Sequence, residues 1–151
     1  MKAINYLKQI KKMDAKIDAD IEELATLEAL ATKTTAAMGD ERVQSSGSQQ
    51  KMEAAVIKIV ALKDKITDEI DRFIEYKDQA RQLVHDSCDE DCISLLTKRY
   101  FGVYDSTKGR TVYKTWEQIA VELSFSYQWV SDGLHQRALS QLQKALDERE
   151  E

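Results

Sequence analysis

The chain has 151 residues, with 22 Lys/Arg against 27 Asp/Glu for a net charge of −5, no proline and five glycines. That length suits one domain, or one small domain with an extended helical arm, and a composition rich in Ala, Leu, Lys, Glu, Gln and Ile predicts an all-α fold. No run of eighteen apolar residues occurs and the start, MKAINYLKQIKKMDAK, is interrupted by charges every few residues, so neither a membrane span nor a signal peptide is expected and a cytoplasmic location is.

In chain order, residues 3–37 carry Ala3, Ile10, Ile17, Leu24 and Ala31 at seven-residue spacing, with Tyr6, Leu7, Met13, Ile21 and Leu27 in the adjacent rows. This is one broad apolar stripe on a long helix. Lys11, Lys12, Asp14, Lys16, Asp18, Asp20, Glu22 and Glu23 read as its solvated face. The stretch Gly39-Asp-Glu-Arg-Val-Gln-Ser-Ser-Gly-Ser-Gln-Gln50 is polar and Ser/Gly-rich and reads as a connecting loop, without the spacing of a phosphate loop. From Lys51 to His85 the stripe returns through Met52, Ile59, Ile66, Phe73 and Ala80, with Val56, Leu62, Ile70, Tyr76, Leu83 and Val84 beside it. Two such helices, the second ~52 Å long, predict an antiparallel hairpin over residues 1–86. A hairpin alone buries too little surface, so the stripe asks for a further partner. The simplest is a second copy, giving a homodimer; packing onto the chain's own C-terminal helices is the rival.

Residues 87–146 form the second predicted domain, and 147–151 an acidic tail. Ser87 and Glu90 suggest a capping box that starts a helix burying Cys92, Ile93, Leu96 and Tyr100 and ending near Gly102. Residues 103–114 read as a loop with a turn at Lys108-Gly109, in which Val103-Tyr104 and Thr111-Val112-Tyr113 have the composition of a small β-ribbon. His85, Cys88 and Cys92 fall short of the four ligands of a structural zinc site, and the two thiols are expected to be ordinary buried cysteines; no metal or other cofactor is expected.

The stretch TWEQIAVELSFSYQWVSDGLHQRALSQL, from Thr115 to Leu142, organises the rest. Thr115 with Gln118 forms a capping box that starts a helix at Trp116. Trp116, Ile119, Ala120 and Leu123 share one face, Ser124-Phe125-Ser126 breaks the pattern, Ser126 caps again, and Val130, Leu134, Ala138 and Leu142 make a second stripe. Two helices joined by about three residues, the second longer, follow the helix-turn-helix plan.

Ile93-Ser-Leu-Leu-Thr-Lys-Arg-Tyr-Phe-Gly102, Thr115-Trp-Glu-Gln-Ile-Ala, Phe125-Ser126, Val130 and Arg137-Ala-Leu139 resemble, in order, the promoter-binding fourth region of bacterial sigma factors. With the long N-terminal helices the chain resembles phage and prophage late-transcription activators of Gram-positive bacteria, of the ArpU and RinA type. The resemblance implies a DNA-binding transcription regulator that also touches RNA polymerase. Two features depart from the sigma pattern. Val130 stands seven residues before Arg137 instead of six, which on a regular α-helix turns the C-terminal half by about 100°. Ser124 occupies a turn position where glycine is common, and positive φ there costs of order 1 kcal/mol.

For the groove-facing end of the second helix, Tyr127, Gln128, Ser131 and Asp132 are the solvent-facing candidates, with His135, Gln136 and Arg137 further along. Gln128 suits adenine, Tyr127 a phosphate or thymine methyl, and Asp132 cytosine, whereas Trp129 is expected in core or interface packing. Residues 88–151 hold eight Lys/Arg against eleven Asp/Glu, yet Lys98, Arg99, Lys108, Arg110 and Lys114 concentrate positive charge against Asp105 alone. That patch is the expected phosphate-contacting flank. No nucleophile elbow, zinc-protease helix, phosphate loop or paired Glu-x-x-His occurs, and the acids Asp68, Glu69, Asp71 and Glu75 repeat the surface of a charged helix, so catalysis is not expected. Double-stranded DNA is the expected partner. A phage DNA-packaging recognition subunit and a pure protein-interaction module are the alternatives.

Overall fold

The computed structural model describes the backbone of residues 1–40 and 46–150, and the side chains of 1–33 and 49–150. The class is all-α. Two long helices, α1 (Ala3–Asp40) and α2 (Ser46–Ser87), precede three shorter helical segments and one two-stranded ribbon. The long pair is antiparallel: Lys16 meets Glu69 at 3.9 Å, Asp20 meets Lys65 at 3.6 Å and Glu28 meets Lys63 at 3.5 Å, the second partner falling in number as the first rises. Both helices extend further than their stripes predict, taking in Gly39, Asp40 and Ser46 to Gln50 from the expected loop, while residues 41–45 lie outside the described residues. Nothing in that stretch forbids a helix, since it has no proline and Gly47 costs only ~1 kcal/mol. No helix among the described residues is long and apolar enough to cross a membrane.

The chain divides into two compact units, Met13–Phe73 and a second made of Met1–Lys12 with Ile74–Glu151, so the division falls inside both long helices. In Met13–Phe73, Ile17, Leu62 and Ile66 are buried, and so is Asp20. Oδ2 of Asp20 and both carboxylate oxygens of Glu69 are buried without a hydrogen bond among the described residues. Burial pushes the Glu69 carboxyl above its ordinary range; the Asp20 carboxyl adds to this and Lys16 and Lys65 oppose it. A carboxyl whose folded pKa is raised contributes stability below its unfolded value and loses it as pH rises through the folded one. Glu69→Gln, whose amide can donate to Asp20, is therefore expected to stabilise this unit by about 1–2 kcal/mol at pH 7. Slower hydrogen exchange over residues 17–66, corrected for intrinsic rate, would register the gain; unchanged or faster exchange contradicts it.

In the other unit the first turns of α1 bury Ala3, Tyr6, Leu7 and Ile10, and the last turns of α2 bury Ala80 and Val84, in the same core as the C-terminal helices. At this end the stripe's width is taken up by the chain itself. Gln143 braces the start of α1, its Oε1 accepting from the Ala3 amide at 2.7 Å and its Nε2 donating to the Met1 carbonyl at 3.1 Å. The Tyr76 hydroxyl donates to the Tyr6 carbonyl at 2.8 Å.

Helix α3 (Glu90–Leu96) follows, without the expected capping box. Ser87 Oγ is spent on the Leu83 carbonyl, 2.6 Å away, so the helix starts after Asp89. Asp89 has its cap supplied from a distance: its amide donates to Gln141 Oε1 at 3.0 Å and Gln141 Nε2 donates back to its carboxylate at 2.9 Å. α3 continues as a π-turn, Thr97–Phe101, that ends at Gly102 with φ +80. Cys92, Leu95, Leu96, Tyr100 and Phe101 are buried, whereas Ile93 is half-buried because the buried face runs through Leu95 instead. The stretch read mainly as a loop forms the ribbon β1 (Val103–Asp105) and β2 (Arg110–Val112), with Val103 opposite Val112, Tyr104 opposite Thr111 and Asp105 opposite Arg110.

Candidate nucleic-acid interface

Helix α4 (Trp116–Leu123) begins at Thr115 with the predicted capping box: Gln118 N donates to Thr115 Oγ1 at 3.2 Å and Thr115 N donates to Gln118 Oε1 at 3.0 Å. It ends in a Schellman motif. Ser124 adopts φ 59 and ψ 38, its amide bonds the Val121 carbonyl at 3.3 Å, and the Phe125 amide bonds the Ala120 carbonyl at 3.0 Å. Because serine carries a Cβ into the left-handed region, Ser124→Gly is expected to stabilise the fold by about 0.5–1 kcal/mol. A denaturation midpoint that falls or stays put would contradict this.

Ser126 opens the second helix, its Oγ accepting from the Trp129 amide at 3.2 Å and its carbonyl from the Val130 amide at 3.1 Å. This helix passes through a π-turn, Trp129–Leu134, into α5 (His135–Glu150). Its buried residues are Val130, Leu134, Ala138, Leu142 and Leu146, all four apart. On a regular α-helix that spacing drifts by about 160° over four steps. One residue taken up in a π-turn removes about 100° of it. The extra residue between Val130 and Arg137 is thus absorbed locally, and the predicted rotation of the C-terminal half is corrected.

Tyr127 is 51% exposed, and Gln128, Asp132, Gln136 and Arg137 are exposed, while Ser131 is half-buried. Gln128, Asp132 and Gln136 are thus exposed at four-residue intervals, while Val130 and Leu134 of the same helix are buried. His135 does not join them. It is half-buried, its Nε2 shares a 2.6 Å hydrogen bond with the Tyr100 hydroxyl, and its ring meets Trp116 edge-on at 4.7 Å. Burial first, then the charges of Arg99 and Lys8, lowers its pKa below the ordinary 6.5. A histidine kept neutral in the fold loses stability as pH falls through its unfolded pKa toward its folded one. The brace between α3, α4 and α5 is therefore expected to loosen on acidification below about pH 6.5, and His135→Gln to flatten that dependence. Equal pH slopes for the two proteins in thermal melts would disprove the role.

The cations divide into two groups. Lys98 Nζ lies 3.2 Å from Glu122, and Lys114 pairs with the same carboxylate, holding it below the usual carboxylate range. The Arg99 guanidinium lies 4.4 Å over the Trp116 ring and donates to the Lys114 carbonyl at 3.1 Å, and the Lys114 amide donates to the Lys98 carbonyl at 3.1 Å. These bonds lash the start of α4 to the π-turn after α3. Arg137 pairs with Asp89. Lys108 and Arg110, on the ribbon, are exposed and form no ion pair among the described residues. They line a groove of ≈ 590 Å³ together with Lys11, Asp105, Lys114 and Gln118.

Sequence reasoning missed Lys11, which stands in α1 far along the chain, its Nζ 5.1 Å over the Tyr113 ring. Of the core or interface packing expected for Trp129, the core half is not met: the indole is 44% exposed and rests on Gly133 of the same helix. Cys92 is buried and its thiol is pushed up to about 11 by burial; Cys88 is half-buried with its thiol raised for the same reason. Among the described residues no group of three His, Cys, Asp or Glu is placed to hold a metal ion. Compared with known proteins, the chain matches no family model, no curated protein and no solved structure.

Proposed function

We propose that the chain is a sequence-specific double-stranded DNA-binding protein, a phage-type transcription regulator that works in the bacterial cytoplasm with host RNA polymerase. The observation that carries this reading is the second helix, capped at Ser126, with Val130 and Leu134 buried beneath it and Tyr127, Gln128, Asp132 and Gln136 presented to solvent. Glutamine offers the paired donor and acceptor that adenine presents in the major groove, and aspartate accepts from cytosine. The groove bearing Lys11, Lys108 and Arg110 supplies phosphate contacts. A homodimer through Met13–Phe73 accounts for the exposed Ile21, Val56, Ile57 and Val60 and brings two reading helices to one duplex.

The test is retention of fragments of the protein's own genome, followed by mobility shift at low and moderate salt. The wild type is expected to select particular fragments and to lose affinity as salt rises, and the Tyr127→Ala/Gln128→Ala double variant to bind with relaxed sequence choice. Unaltered selection by the double variant overturns the residue assignments. A second reading, a protein-interaction module without DNA readout, is favoured by the neutralisation of Lys98, Lys114 and Arg137 within the molecule. It predicts no salt-dependent shift. Light scattering separates a dimeric regulator from a packaging-type ring of about eight or more copies.

A further inference from the structure

Building on the DNA-reading proposal, we infer that Trp129 is a specificity-determining residue whose indole packs against thymine C5-methyl groups in the major groove. A tryptophan offers one of the largest apolar surfaces of any side chain, and leaving it in water forfeits much of what its burial returns. Here it is 44% exposed at the second helix's leading end. Its backbone is pinned, because the amide donates to Ser126 Oγ at 3.2 Å. Its ring is seated as well: a Cβ at position 133 would come within 2.2 Å of Trp129 Cε3 and 2.3 Å of Cζ3, so the indole lies directly on the Gly133 backbone one turn on. Glycine is a poor helix former, and what it provides here is this seat.

The position suits base edges better than phosphates. Trp129 directly follows Gln128 and opens the π-turn that carries Asp132, so it flanks the exposed face formed by Gln128, Asp132 and Gln136. That face carries a carboxylate, which repels phosphate, and no cation: Lys98 and Lys114 are held by Glu122, Arg99 lies over Trp116, and Arg137 is paired with Asp89. A base-reading surface short of charge must take its discrimination from hydrogen bonds and apolar contact. The apolar group that the major groove presents is the thymine methyl. An aromatic ring already immobilised in the free protein loses little side-chain entropy on binding.

The test copies the genomic fragments retained by the full-length protein twice, once with thymidine and once with deoxyuridine triphosphate, which removes only the methyl groups. The wild type is expected to bind the uracil copy more weakly, by about fourfold for each methyl contacted. Trp129→Ala is expected to bind both copies equally, which also controls for altered groove shape. Gly133→Ala, which retains the indole but unseats it without lowering helix propensity, is expected to lose the discrimination too, and it carries the test should Trp129→Ala fail to fold. Equal binding of the two copies by the wild type overturns the inference while leaving DNA binding intact. Failure to retain any fragment, even at low salt, overturns the DNA reading and this inference with it, and assigns the exposed indole to a protein partner.

Discussion

Under the proposed DNA-binding function, replacing Glu122 by glutamine is expected to tighten binding to the duplex, although it removes two ion pairs. In the native protein one carboxylate neutralises both Lys98 and Lys114. Glutamine keeps the size and a hydrogen-bond acceptor but releases both ammonium groups to meet phosphates. Each additional phosphate contact adds about 0.9 to the slope of log affinity against log salt, so the variant should steepen it by up to ~2 and bind roughly tenfold more tightly near 0.1 M salt. The stability lost with the pairs is at most ~1 kcal/mol, because all three side chains keep access to water. Affinity and salt slope equal to the wild type's would place Lys98 and Lys114 away from DNA and leave them the task of bracing α4 on α3. The acidic net charge then has a specific meaning: much of the basic patch is spent holding the fold together.

The second large effect belongs to Gly102. Its φ of 80 and ψ of 160 lie in a region that is essentially glycine-only. A Cβ there would also stand 2.5 Å from Thr111 Cγ2 and 3.2 Å from the Tyr113 ring. Gly102→Ala therefore combines backbone strain with overlap against β2, and is expected to destabilise by about 3 kcal/mol or more. Gly109→Ala is the matched control, with φ 65 and nothing within 4 Å of an added Cβ, and should cost only ~1 kcal/mol. Comparable losses for the two in denaturant unfolding would show that the ribbon does not press on the end of α3. A large loss confined to Gly102 would show that it does.

Several features of this arrangement were legible in the sequence. The Thr115 capping box and the Ser126 cap are consequences of short-range geometry and appear where residue type and spacing predicted them. The apolar stripes do so in part, with Ile10, Ile17, Ile66 and Ala80 buried but Ile21 and Val56 exposed, and the left-handed Ser124 follows the glycine position of the sigma-factor pattern instead of its residue type. The Ser87 box did not form, because a serine that is itself the last residue of α2 finds a carbonyl one turn behind it before any amide ahead. The four-residue spacing from Val130 to Leu142 was visible as a stripe, but one residue of slack can be taken up by a rotation or by a π-turn, and periodicity does not choose between them.

What the amino-acid order determined by itself is where helices start, stop and turn an apolar side, since those depend on neighbours within about five residues. The tertiary structure alone decided which polar groups are left to meet a partner. Glu122 reaches Lys98, Asp89 reaches Arg137, and Tyr100 reaches His135, across 24, 48 and 35 positions of the chain, while Trp129 turns outward because Gly133 makes room for it. A charge's availability depends on what the fold brings within about 4 Å of it, and no local pattern encodes that distance.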